Sequence, residues 1–72
     1  MKQFDLIIDG SVQLTSSWVH CMQAAYIWLG KHGIAPDDYI KYERLQDDYI
    51  AFAYYDKIVG GHLVQIVIRE HE

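Results

Sequence analysis

Cysteine, proline and positive charge are scarce in this sequence, and each shortage removes a class of protein. One cysteine, Cys21, permits neither an internal disulfide nor zinc-type ligand spacing, so a reducing, cytoplasmic setting is expected. One proline alongside 51% hydrophobic residues is not the composition of a disordered tail. The six Lys and Arg (Lys2, Lys31, Lys41, Arg44, Lys57, Arg69) never cluster and are outnumbered by ten Asp and Glu. Nucleic-acid binding rests on a basic patch that displaces phosphate counterions, so no direct contact with DNA or RNA is expected. No apolar run approaches the ~18 residues of a membrane span. Asp5 and Asp9 interrupt MKQFDLIIDG, which therefore lacks the apolar core of a signal peptide.

What is present describes one domain, residues 1–72. A chain of this size buries only about 60% of the surface its unfolded form exposes, so a partner or a second copy would help to stabilise it. The net charge of −4 suits a protein partner with a basic surface, or serves solubility.

Local patterns predict an α+β fold, with one amphipathic helix packed on one face of a largely antiparallel sheet of four or five strands, in the order ββαβββ. In FDLIIDGSVQL, Asp9-Gly10 between apolar runs signals a hairpin. A two-residue loop pairs Ile8 with Ser11. A three-residue loop puts Phe4, Leu6, Ile8, Val12 and Leu14 on one face, and is favoured because it buries more. In TSSWVHCMQAAYIWLGKHG, Thr15, Ser16 or Ser17 caps a helix that Gly33 and Pro36 end. Trp18, Cys21, Met22, Ala25, Trp28 and Leu29 share its apolar face. Three further strands are expected near 39–45, 48–59 and 62–70. A short helix over APDDYIKYERL, with Pro36 at its first position, is the competing reading.

Two-residue turns at Gln46-Asp47 and Gly60-Gly61 pair Tyr39 with Tyr54, Lys41 with Phe52, Tyr54 with Val67 and Phe52 with Arg69. One side of the sheet then carries Ile40, Tyr42, Ala51, Ala53, Tyr55, Val64, Ile66 and Ile68, and the helix is expected to cover it. The other carries Tyr39, Ile50, Phe52, Tyr54, Leu63 and Val67 with charged neighbours. Left open, that side has the aromatic composition of an interface.

No catalytic constellation emerges, and neither cofactor nor metal is expected. Asp-Asp-Tyr-Ile occurs twice, ten residues apart. The strand between the Asp pairs separates them by roughly 23 Å, too far to share an ion. Asp37 opposite Asp56, with Asp38 adjacent, forms an acidic end, but no ligand loop surrounds it. His20 and Cys21 point about 100° apart on a helix. His62 and His71, an odd number of residues apart, fall on opposite faces of a strand.

The expected function is a small acidic, non-catalytic protein-binding module, an inhibitor or modulator of a larger protein or nucleoprotein machine. Its contact residues are Tyr39, Phe52 and Tyr54 on the open face, and Asp37, Asp38, Asp47, Asp48 and Asp56 at the acidic ends. In size and charge alone it is similar to phage- and mobile-element-encoded inhibitors such as anti-CRISPR proteins. That likeness implies carboxylates standing in for nucleic-acid phosphates. The alternatives are a structural homodimer on the open face or an edge strand, and a small enzyme or ligand-binding subunit using Cys21 and His20.

Overall fold

A computed structural model describes residues 2–46, 49–56 and 61–72, with side chains described at 2–39, 52–54 and 61–72. The order is β1 (Phe4–Ile8), β2 (Ser11–Ser16), α1 (Trp18–Lys31), a 3₁₀ turn at Pro36–Asp38, β3 (Tyr39–Gln46), β4 (Tyr49–Asp56) and β5 (His62–Glu70). The strands form one antiparallel sheet in the order β2-β1-β5-β4-β3, the α+β architecture expected.

The first hairpin uses both candidate registers. Asp9 and Gly10 take φ of 51° and 84°, the pair of positive values that a two-residue turn matched to strand twist requires. Ile8 therefore pairs with Ser11 and Ile7 with Val12. A bulge then shifts the ladder by one residue, so that Leu6 pairs with Leu14 and Phe4 with Ser16. A bulge reverses the faces of the residues beyond it. Leu14 joins the apolar side as expected. Val12, expected beside it, points to the opposite side and is 58% exposed.

α1 starts at Ser17, whose side chain accepts from His20 N–H at 3.3 Å. It ends in a Schellman turn. Gly33 has φ of 69°, Gly33 N–H donates to Gly30 O at 3.1 Å, and Ile34 N–H donates to Leu29 O at 3.0 Å. These bonds satisfy carbonyls that a helix end otherwise leaves unpaired. Cys21, Ala25 and Leu29 are buried, and Trp18, Met22 and Trp28 pack around the same core, as the helical spacing predicts. The competing short helix is limited to Pro36–Asp38, and Tyr39 opens β3.

The largest correction concerns β4 and β5. Tyr54 pairs with Val64 and Phe52 with Ile66, three residues from the expected partners. An odd shift exchanges the faces of one strand relative to the other. The observed register places Phe52 and Tyr54 with Val64, Ile66 and Ile68 on the helix side, in one core with Leu6 and Ile8. Ala53 falls on the far side, paired with Gln65 and Ile40. The physical reason is area. Ala53 is itself buried, at 2% exposure, but placing the larger Phe52 and Tyr54 against α1 removes far more apolar surface from water than placing Ala53 there. Asp56 pairs with His62, a register that a two-residue Gly60-Gly61 turn does not give; residues 57–60, Gly60 among them, lie outside the described residues. On β3 the expected pairs Tyr39–Tyr54 and Lys41–Phe52 are present, and the ladder is irregular between Tyr42 and Gln46.

Candidate functional site: the open sheet face

The expected aromatic contact residues are not on an open face. Phe52 is fully buried and Tyr54 is 8% exposed. They pack against α1 through Tyr26–Phe52 and Trp28–Tyr54 ring contacts, with centroids 5.4 and 5.9 Å apart. Tyr39 is half-buried, edge-on to Phe52 at 5.8 Å. Phe52 and Tyr54 are core residues and Tyr39 packs against that core, so the expectation that they line an open face is corrected by the β4–β5 register. Asp37 and Asp38 are exposed in the 3₁₀ turn, ahead of the strand ladder. The observed Tyr39–Tyr54 pair keeps the register that set Asp37 opposite Asp56, but Asp37 lies in the 3₁₀ turn before the first ladder pair; on its other side Asp56 pairs with His62. Asp47 and Asp48 lie outside the described residues.

The face that the helix leaves uncovered keeps the expected β5 residues and gains others. Strand alternation sets Ile7 of β1, Val12 of β2, and Leu63, Gln65, Val67 and Arg69 of β5 on it. Ile7 pairs with both Val12 and Val67. Val12 and Leu63 are 58% and 40% exposed, while Ile7 and Val67 are half-buried. Ile7, Gly10, Val12, Gln65, Val67 and Arg69 line an open concavity of about 290 Å³. An added Cβ at Gly10 would meet nothing within 4 Å, so the turn leaves this end of the concavity unobstructed.

A polar cluster bounds the Arg69 end. Asp5 pairs across the ladder with Thr15 on one side and Arg69 on the other. Thr15 Oγ1 donates to Asp5 Oδ1 at 2.6 Å. His71 Nδ1 donates to both Asp5 oxygens at 3.0 Å. The Thr15 hydrogen bond, then that of His71, holds the Asp5 carboxyl below its ordinary value, against a smaller opposing effect of burial. At the opposite end of the sheet, His62 Nε2 meets the Asp9 carboxylate at 3.1 and 3.2 Å.

Neither cluster is arranged for nucleophilic catalysis. A hydroxyl nucleophile needs an imidazole between it and the carboxylate to take its proton. Here the carboxylate stands between Thr15 and His71. Ser16 Oγ and His20 Nδ1 are hydrogen-bonded at 3.0 Å, yet among the described residues no carboxylate orients His20. Cys21 is fully buried, and its thiol donates to Phe4 O at 3.4 Å. Burial pushes its pKa up, away from the thiolate that reactivity requires. Among the described residues, no group of three His, Cys, Asp or Glu could hold a metal ion. Likewise, no helix is long and apolar enough to cross a membrane.

The Asp5 cluster escapes a reading of the sequence, although two signals point to it. Asp5 interrupts the apolar run FDLII, and Thr15 lies opposite it in the three-residue-loop register. His71 carries no such signal, because the β1–β5 pairing joins the two ends of the chain. Comparison with protein-family models, with curated proteins and with solved structures finds no match to this chain.

Proposed function

We propose that this chain is a small acidic protein-binding module without catalysis, which modulates a larger protein by docking on it through the open sheet face. The observation that carries this reading is the apolar stretch Val12–Ile7–Val67, with Leu63 beyond it, on the side of the sheet opposite α1. Contiguous exposed apolar surface marks interaction sites, whereas scattered single residues do not. The sheet edges are less suited to the task. β2 carries a bulge and β3 an irregular ladder, and such breaks blunt an edge as a template for another strand. The exposed Asp37 and Asp38 contribute to the net charge of −4, which steers the module towards a partner of basic overall charge.

A second copy is the other occupant of this reading. Mass by light scattering, with capture by wild-type, Val12→Asp and Leu63→Asp baits, tests the proposal. An 8.4 kDa monomer that retains a defined protein, lost with both folded variants, supports a docking module. A species of twice that mass that both variants dissociate assigns the face to a homodimer. Retention unaffected by either variant overturns the choice of face.

A further inference from the structure

The concavity on the open face also specifies a chemistry. Its lining is apolar at Ile7, Val12 and Val67, polar but uncharged at Gln65 and Gly10, and charged only at Arg69. Among the described residues, the acidic side chain next to it is Asp5, the cross-strand partner of Arg69. Both Asp5 oxygens accept from His71, Oδ1 accepts from Thr15 as well, and the residue is buried. Arg69 is exposed and makes no ion pair among the described residues, although its charge acts across the ladder on Asp5, a smaller effect than the Thr15 and His71 hydrogen bonds. On a chain of net charge −4, the open face thus offers an arginine beside an apolar depression, with its neighbouring carboxylate already engaged.

A guanidinium in that position favours a carboxylate, which it can grip with two parallel N–H donors. Arginine beside exposed apolar groups is also the pairing that recurs at protein interfaces. The volume of about 290 Å³ lies at the lower limit of small-molecule pockets, which run to ~300–1,000 Å³ and enclose most of their ligand. An open depression of this size suits a side chain or two presented by another protein.

We propose that the concavity docks a partner-protein segment in which an apolar side chain stands next to a carboxylate. The apolar group seats on Ile7, Val12 and Val67, and the carboxylate, from an Asp, a Glu or a chain terminus, pairs with Arg69. This inference rests on the docking function proposed above and adds the chemistry of what is docked. It is compatible with a partner of basic overall charge, since net charge governs approach and the local pair governs contact.

The test uses the full chain, ¹⁵N-labelled, at low salt. The probes are N-acetyl-Gly-Leu with a free carboxylate, its carboxamide, and N-acetyl-Gly-Ser with a free carboxylate. The expected result is millimolar binding of the first, with amide shifts confined to Ile7, Gly10, Val12, Gln65, Val67 and Arg69. The Ser probe should bind more weakly than the Leu probe, for want of an apolar group to seat. The carboxamide should bind about two- to fivefold more weakly, the range of an exposed ion pair. That difference should vanish in Arg69→Gln, while Val12→Ser weakens both Leu probes. Dispersed spectra of the two surface variants verify their folds. Equal binding of carboxylate and carboxamide overturns the carboxylate chemistry and leaves the docking face standing. Absence of shifts on this face with any probe overturns both. Concentration-dependent shifts of the same amides without a probe assign the face to a second copy and overturn the inference.

Discussion

His71 donates from Nδ1 to both carboxylate oxygens of Asp5 at 3.0 Å, joining residues 66 positions apart in the chain. The Thr15 hydrogen bond, and then this contact, hold the Asp5 pKa below its ordinary value of 3.8. A carboxyl depressed in the folded state binds its proton more readily in the unfolded chain. Its contribution to stability is therefore full well above pH ~4 and is lost as pH falls through the lower, folded value. The urea midpoint should drop between pH 7 and pH 3 by more in the wild type than in Asp5→Asn. His71→Gln and Thr15→Val should each reduce the drop, Thr15→Val the more. Equal drops in all four proteins would contradict the role given to this cluster.

Phe52 distinguishes a core position from a contact position. It is fully buried and makes ring contacts with both Tyr26 and Tyr39. Phe52→Ala should cost about 3–5 kcal/mol, a large share of the ~5–15 kcal/mol available to a small domain. Urea unfolding followed by far-UV circular dichroism should show a much lower midpoint or an unfolded chain. A folded Phe52→Ala protein with an unchanged midpoint would return Phe52 to the surface.

The same residue shows which parts of the fold are legible in the sequence. α1 is readable because its cap, its 3.6-residue spacing and its Gly33 stop are all local. The first hairpin is readable as two rival registers, and the bulge that lets the molecule use both leaves no mark in composition. Phe52 and Tyr54 are expected on the wrong face because the Gly60-Gly61 dipeptide suggests a register three residues from the observed one. Local turn chemistry there outranks the apolar stripe Val64, Ile66 and Ile68, whereas in the folded chain the stripe decides. The open face inherits part of the error: its apolar character is anticipated, with Leu63, Val67 and Arg69 on it, but Ile7 and Val12 join them in place of Tyr39, Phe52 and Tyr54. Nothing local reveals the meeting of Asp5 with His71, since it depends on β5 pairing with β1 across the whole chain.

Two glycines at the end of α1 should respond in opposite directions. Gly33 sits at φ of 69°, where a Cβ crowds the following carbonyl. Gly33→Ala should therefore destabilise by about 1–2 kcal/mol, and Gly33→Asn by less. Gly30 is helical and exposed, and an added Cβ meets nothing within 4 Å. Gly30→Ala should stabilise by about 0.5–1 kcal/mol, because glycine loses more backbone freedom on folding. Thermal melts of the two variants should bracket the wild type. Both shifting the same way would contradict the Schellman ending.

Cys21 provides the sharpest test against an enzyme or redox role. Its thiol is sealed between α1 and the start of β1, donating to Phe4 O at 3.4 Å with Ser16 O at 3.9 Å. Burial raises its pKa, and the Asp5 charge adds to that effect. The thiolate is therefore scarce at neutral pH, and reagent has no path to it without opening of the helix. Titration of the native protein with a disulfide reagent at pH 8 should give slow release that accelerates sharply with urea. Rates should follow the fraction unfolded. Cys21→Ser should keep the fold and bind the same partner as the wild type. A fast native reaction, or loss of binding in a folded Cys21→Ser protein, would restore the thiol as a functional group and displace the open sheet face as the site that matters.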